Sequence, residues 1–180
     1  MDIETTGVGR PGSGENAEIF NDYTHNGASG ECAHAEGYGT RAFGANSHAE
    51  GAYANAIGNN SHAEGSMTIA RGFASHAEGY STEAKHSSSH AGGYKTVTSC
   101  DYQTVIGKYN SDNSNALFII GNGEENHRTN VFEVYKSGKA RLPAARDFDF
   151  NQLNDEDVVT KYHVNQALSE ISLPDVPSTV

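Results

Sequence analysis

The chain has 180 residues, with 20 glycines, no tryptophan and 36% apolar residues, which leaves little bulky material for a globular core. Its formal net charge of -11 argues against nucleic acid as a partner, because phosphate recognition needs a basic surface and the twelve Lys and Arg residues are scattered. No stretch reaches the roughly 20 apolar residues of a membrane span, and the first residues contain neither a basic leader nor an apolar signal core. We therefore expect an acidic protein that neither binds nucleic acid nor inserts into a membrane.

In chain order, a flexible segment is predicted for residues 1–15 and a repetitive region for residues 16–107. Histidines recur in this region every fourteen residues without an insertion, and four of the five begin the string His-Ala-Glu-Gly. These histidines are His34, His48, His62, His76 and His90. A short and constant period predicts a solenoid, in which each coil buries its faces by stacking on the next.

The interior of this solenoid is predicted from small residues. An alanine follows each histidine, and seven residues later another small residue occurs at the same phase, as in Ala35 and Ala42. Serine and threonine lie two residues before such positions, as in Ser47 and Thr40. Since strand neighbours point to opposite faces, this pattern indicates two short strands per coil, joined by glycine-bearing turns. The fold class is mainly β, a flat parallel β-roll with an Ala, Ser and Thr interior.

The two outward walls differ. Histidine and glutamate recur on the first strand, whereas the second strand carries unrelated pairs such as Asn55 and Ile57. A wall packed against copies of itself has a physical reason to keep one residue pair, and a solvent-facing wall has none. We therefore predict a homo-oligomer, with three chains around an axis as the natural closure, and hydrogen bonds from histidine to glutamate between chains. The predicted interface residues of the roll are His34, Glu36, His48, Glu50, His62, Glu64, His76, Glu78 and His90.

Histidine and glutamate also suggest catalysis or metal binding. A zinc site gathers three or four ligands from chosen positions, and an active site needs one unique constellation in a pocket. Because near-identical copies argue against both, we favour packing and hydrogen bonding at the subunit interface, and we assign no catalytic residue, no metal and no cofactor. A structural or adventitious metal on the axis is the alternative.

Exposed aromatic residues leave two interpretations open. They are candidates for stacking on sugars of a cell-wall glycan, or they merely cover neighbouring coils. The candidate receptor-binding residues are Phe43, Tyr53, Phe73, Tyr80 and Tyr94. Coils stacked at about 4.8 Å would place Cys32 and Cys100 roughly 24 Å apart, so both are expected to be free thiols.

The carboxyl-terminal third contains different elements. Alternating apolar residues predict a small antiparallel β cap over residues 108–142, followed by a polar linker, residues 143–154. A helix is expected for residues 155–172, with Val164, Leu168 and Ile171 on one face, and a tail for residues 173–180. The helix is too short to be stable alone, so we expect a parallel bundle in the same trimer.

Several strings, in order, carry a family resemblance. The repeats at residues 47–51, 61–65 and 75–79 read Ser-His-Ala-Glu-Gly. The lead-in at residues 16–23, the exit strings at residues 102–110, 119–123 and 128–130, and the Val-Val-Thr-Lys-Tyr-His-Val segment at residues 158–164 accompany them. The chain from about residue 16 to 168 resembles tail-fibre and baseplate-associated proteins of phages and prophages of Gram-positive bacteria.

This resemblance implies a trimeric rod that attaches to a host surface. The expected partners are two further copies of the chain, other tail or baseplate proteins, and a host glycan or protein receptor. The expected location is the virion tail, after synthesis in the host cytoplasm. A phage and a phage-tail-like bacteriocin are equally compatible with the strings.

The period also resembles the head repeats of trimeric autotransporter adhesins, which are left-handed parallel β-rolls but carry apolar residues where this chain has histidine and glutamate. A cell-surface trimeric adhesin is therefore one alternative. A tail enzyme that degrades polysaccharide is another.

Overall fold

The computed structural model describes residues 10–20 and 27–142, and every regular element in these ranges is a β-strand. The predicted linker, helix and tail, with Val164, Leu168 and Ile171, lie outside the described residues. The strands are β1 (Arg10–Pro11), β2 (Glu18–Phe20), β3 (Gly27–Ala28), β4 (His34–Tyr38), β5 (Arg41–Ala42), β6 (His48–Ala52), β7 (Asn55–Ala56), β8 (His62–Ser66), β9 (Ile69–Ala70), β10 (His76–Tyr80), β11 (Glu83–Ala84), β12 (His90–Tyr94), β13 (Thr104–Lys108), β14 (Ala116–Asn122), β15 (Asn130–Tyr135) and β16 (Ala140–Arg141).

The strands form a β-solenoid of about 7 turns with coils of about 14 residues, as the sequence predicts. The longer strands from β2 to β14 stack in parallel as one wall, and the two-residue strands β3, β5, β7, β9 and β11 stack as the second. Equivalent residues pair directly, for example His48 with His62. Glu18 pairs with His34, so the first coil is two residues longer than those that follow.

The interior consists of the small residues that the repeat predicts. Ala35 and Ala49 of the first wall and Ala42 and Ala56 of the second have no exposed surface. Threonine and serine fill the rest of the narrow interior, with Thr68 fully buried. Small side chains allow the two walls to approach closely, so neighbouring coils, rather than a wide core, provide most of the contacts.

The glycine that follows each histidine by three residues determines the spacing of the coils. Gly51 has φ +102°, and a Cβ at this position would lie 2.2 Å from the carbonyl oxygen of Gly65. Gly37, Gly65, Gly79, Gly93 and Gly107 share this geometry. Any side chain here would push the coils apart, which explains the glycine ladder.

From residue 46 to residue 109, each coil has two further positions, seven residues apart, that adopt positive φ without glycine. Asn46 (φ 54°) and Tyr53 (φ 57°) are examples. Their amides donate to the carbonyl oxygens of Glu31 and Tyr38, each at 2.7 Å. Stacking therefore holds a backbone conformation that costs about 1–3 kcal/mol in a residue with a side chain.

The carboxyl-terminal end departs in one respect from the expected antiparallel cap. β14 is parallel to β13, with Thr104 opposite Phe118, and only its other edge pairs antiparallel, with β15. The fourteen-residue spacing thus continues for one coil beyond residue 107. Val105 and Ile119 are fully buried and replace the inward alanine, so the small-residue signature disappears while the period persists.

Side-chain amides terminate the second wall. The Asn110 amide donates to the Val97 carbonyl oxygen at 2.9 Å, and its Oδ1 accepts from the Val97 amide at 2.8 Å. Asn130 pairs in the same way with both main-chain groups of Ser111. These side chains occupy the hydrogen-bonding groups that a further coil would use, and so prevent an open sheet edge.

The amino-terminal end contains a strand that the sequence analysis did not predict. Arg10 and Pro11, assigned to the flexible segment, pair antiparallel with Ile19 and Glu18, whereas residues 1–9 lie outside the described residues. Cys32 and Cys100 are free cysteines, as predicted.

Candidate functional site: the histidine–glutamate ladder

The outward side chains of the first wall form a continuous stack, which we call the histidine–glutamate ladder. It consists of His34, Glu36, His48, Glu50, His62, Glu64, His76, Glu78 and His90. Histidine is the first residue of each strand and glutamate the third, so both point to the same side. Consecutive imidazole centroids lie 4.8–4.9 Å apart. The rings from His48 to His90 are parallel within 8°, whereas the His34 ring stands at 74° to that of His48.

The histidine of each coil faces the glutamate of the preceding coil. The Nε2 to carboxylate distances are 3.9 Å for His48 and Glu36, 3.8 Å for His62 and Glu50, and 3.3 Å for His76 and Glu64. His90 Nε2 lies 3.2 Å from Glu78 Oε1 in a hydrogen bond, in which the imidazole must donate because a carboxylate only accepts. Contacts between histidine and glutamate thus occur between adjacent coils of one chain, since the strand spacing matches the reach of these side chains. Hydrogen bonds from histidine to glutamate between chains stay a prediction.

In the fifth repeat, glycine replaces glutamate at residue 92. A Cβ at Gly92 would lie 2.9 Å from Glu78 Oε1 and 3.3 Å from His90 Nε2. Both atoms are at the ends of flexible side chains, and Glu78 occupies the equivalent position beside the pair of His76 and Glu64, so these contacts do not require glycine.

The ladder is half-buried in the single chain. The imidazoles are 33–38% exposed and the carboxylates of Glu36, Glu50, Glu64 and Glu78 are 33–43% exposed. Among the described residues, Nε2 of His48, His62 and His76 is inaccessible and has no hydrogen-bond partner. Burial, followed by the charges of His62 and His34, lowers the pKa of His48 against the opposing effect of Glu50 and Glu36. A neutral imidazole is therefore favoured at this coil.

A groove runs beside the carboxylates. It has a volume of about 360 Å³ and is lined by Glu36, Gly37, Glu50, Gly51, Glu64 and Gly65. Because the glycines have no side chains, the groove exposes the backbone and one carboxylate per coil.

Three groups of ladder residues have spacings that a metal ion can bridge. They are His34, Glu36 and His48; Glu50, His62 and Glu64; and Glu64, His76 and Glu78. In each group one ligand atom per residue lies within 4.8 Å of the others. The last two groups share Glu64.

The candidate receptor-binding aromatics occupy several places on the solenoid. Tyr53 packs edge-on against Tyr38 at 5.2 Å, and Tyr80 stacks on Tyr94 at 5.1 Å. Phe43 and Phe73 are exposed. The structure therefore brings Tyr80 and Tyr94 together, but not with Tyr53.

Sequence reasoning missed three residues that extend the Tyr80–Tyr94 pair. The centroid of the Tyr109 ring lies 5.4 Å from that of the Tyr94 ring. Two cations lie near the Tyr109 ring: Lys95 Nζ at 5.3 Å and the Arg128 guanidinium at 5.6 Å from its centroid. Lys95 also donates to Glu125 at 2.7 Å. Tyr94 and Tyr109 are fifteen residues apart, as are Tyr38 and Tyr53, and both pairs of rings are in contact. This spacing could have indicated the contact, but a search for a fourteen-residue period does not find it.

Within residues 10–20 and 27–142 there is no helix of the length and apolarity that a membrane crossing requires. No protein-family model, curated protein or solved structure matches the chain.

Proposed function

We propose that the chain is a structural and receptor-binding component of a phage tail fibre or baseplate, or of a phage-tail-like bacteriocin. In this proposal it is a trimeric rod that attaches to a host surface. The observation that carries the proposal is the contrast between the walls: one outward wall keeps histidine and glutamate through successive coils, and the other changes its residues from coil to coil. The ordered tail-fibre strings in the sequence support the same assignment.

The proposed trimer places the histidine–glutamate ladders towards the symmetry axis of a left-handed roll. Each ladder offers half-buried imidazoles and carboxylates, which become shielded from water when three ladders meet. Buried carboxylates require partners, and the imidazoles nearest to each carboxylate are those of the following coil and, at Glu36 and Glu50, of its own coil. Val164, Leu168 and Ile171 would join the chains again in a helical bundle.

Two pairs of substitutions test the position of the interface. Glu50→Arg with Glu64→Arg places positive charge on the ladder, and Asn55→Arg with Ile69→Arg does so on the other wall of the same coils. We expect the first pair to lower the melting temperature of the trimer, because three copies crowd at the axis, and the second to change it little. Equal effects would contradict an interface at the ladder.

Recognition is proposed for the exposed aromatics outside the ladder. Tyr80 and Tyr94 are 38% and 43% exposed, and exposed tyrosine rings can pack against a sugar. Arg128 and Lys95 beside Tyr109 add hydrogen-bond donors for hydroxyl or carboxylate groups.

Binding to purified cell walls of a panel of Gram-positive bacteria tests this function. We expect saturable binding to at least one wall and weaker binding after Tyr80→Ala with Tyr94→Ala. Tyr102→Ala is the matched control, because Tyr102 is 71% exposed and outside the stack. A trimer that binds none of the walls would contradict the proposal.

A further inference from the structure

We propose that His34, Glu36 and His48 form a binding site for a divalent transition-metal cation such as Zn²⁺. One chain supplies all three ligands, so this inference does not depend on the proposed function. His34 Nε2 lies 3.6 Å from Glu36 Oε2, and His48 Nε2 lies 3.9 Å from Glu36 Oε1. The site is at the amino-terminal end of the histidine–glutamate ladder.

The donor set determines the class of ion. Two imidazole nitrogens and one carboxylate suit Zn²⁺ and neighbouring first-row ions, whereas Ca²⁺ and Mg²⁺ prefer oxygen ligands alone. Bond lengths of about 2.0–2.2 Å separate the ligand atoms of a tetrahedral zinc by roughly 3.3–3.5 Å. The two His–Glu distances exceed this by up to about 0.6 Å, and the three ligand atoms all lie within 4.8 Å of one another, so binding requires rotation of these half-exposed side chains. Three protein ligands leave a fourth position for water.

The local geometry distinguishes this group from the rest of the ladder. The His34 ring is turned by 74° from the His48 ring, whereas the later rings are parallel within 8°. His34 Nδ1 lies 3.7 Å from Glu18 Oε2. A carboxylate near the second imidazole nitrogen is the arrangement that orients metal-binding histidines.

An unsatisfied atom points to the same site. His48 Nε2 is inaccessible to solvent and makes no hydrogen bond to any described residue, as is also true of His62 and His76, and it lies 3.9 Å from Glu36 Oε1 and 4.0 Å from Glu50 Oε2. Such a buried polar atom is costly unless it finds a partner. An ion between His48 and Glu36 would provide one.

The other two groups of ladder residues could also bind an ion, so a test of the first site must remove them. Both contain Glu64, so Glu64→Gln removes them together and leaves His34, Glu36 and His48 intact. His90 belongs to none of the three groups and provides a histidine control on the same ladder.

Calorimetric titration of the full chain with zinc chloride tests the proposal. We expect the Glu64→Gln chain to bind about one Zn²⁺, and a further Glu36→Gln change to weaken this binding at least about tenfold. A further His90→Gln change should leave it within about twofold. Calcium chloride should give no comparable binding.

The melting temperature gives a second readout, because an ion that binds only the folded chain raises it. Zinc should raise the melting temperature of the Glu64→Gln chain but not that of the chain that also carries Glu36→Gln. Circular dichroism verifies that each variant is folded before titration. The proposal fails if the Glu64→Gln chain binds no zinc, or if Glu36→Gln leaves the affinity unchanged.

Discussion

At the scale of single residues, the glycine three positions after each histidine sets the distance between coils. Gly65 has φ +99°, and a Cβ there would lie 2.3 Å from the carbonyl oxygen of Gly79. Gly138 also has a positive φ, +79°, but its Cβ would meet no atom within 4 Å. Comparing substitutions at these two glycines therefore distinguishes the cost of backbone strain from the cost of a collision between coils.

Gly65→Ala should lower the free energy of unfolding by about 3 kcal/mol or more, because it adds a collision to the strain. Gly138→Ala should cost about 1 kcal/mol, since only the backbone is strained. Denaturant unfolding of the two variants measures the difference. Equal losses would show that collision between coils contributes nothing.

Glu133 is a buried carboxylate that makes the stability of the cap depend on pH. Burial raises its pKa, but hydrogen bonds from Tyr135, Asn130 and Asn113 act in the opposite direction, and the pKa is lowered from 4.5. A lowered carboxylate pKa contributes stability above the unfolded value, and this contribution is lost as the pH falls through the folded value.

Melting temperature followed from neutral pH to below about 4.5 tests this linkage. Glu133→Gln should flatten the acid limb of the curve, because the titrating group is gone. Tyr135→Phe removes one stabilising donor and should move the acid limb to higher pH. Unchanged curves for both variants would exclude Glu133 as the source of the acid sensitivity.

At the scale of elements, the second wall ends on a side chain. Asn110 binds the amide and the carbonyl group of Val97, as a neighbouring strand would. Asn110→Ala leaves both groups without these partners, and we expect a loss of about 1–3 kcal/mol. Hydrogen exchange should accelerate at the Val97 amide. Asn115→Ala, at an exposed side chain, is the control and should change neither quantity.

The sequence predicts the elements where the repeat is regular. Constant spacing of histidine, alanine and glycine indicates the parallel stack and its interior, because each coil meets the same neighbours. It does not predict the last parallel coil, in which Ile119 takes the place of the inward alanine. The pairing of the Asn110 side chain with Val97 was not predicted either, because the sequence does not indicate which groups the amide of a loop asparagine binds.

For the histidine–glutamate ladder, residue spacing predicts which side chains share a wall but not how they pair. The period places histidine and glutamate on one wall, and this prediction is confirmed. Whether the pairs form within or between chains depends on side-chain rotamers and strand separation, which the period does not contain. For the same reason, the ring turn at His34 could not be predicted.

At the scale of the whole molecule, stability is a sum over neighbouring coils. Deleting residues 62–75 removes one coil and brings β6 against β10, whose first four residues are the same as those of the deleted β8. We expect the shortened chain to remain a folded β-protein by circular dichroism. Deleting residues 62–74 leaves a one-residue slip that turns interior alanines outward, and should abolish cooperative melting. Similar melting of the two deletions would contradict the coil as the structural unit.

The central claim is that the histidine–glutamate ladder belongs to a trimeric rod. Static light scattering of the full chain at neutral pH, coupled to size exclusion, measures its mass directly. For a trimeric rod we expect three times the chain mass of 19.2 kDa, with early elution that reflects an elongated shape. A mass of a single chain across the accessible concentration range would contradict it.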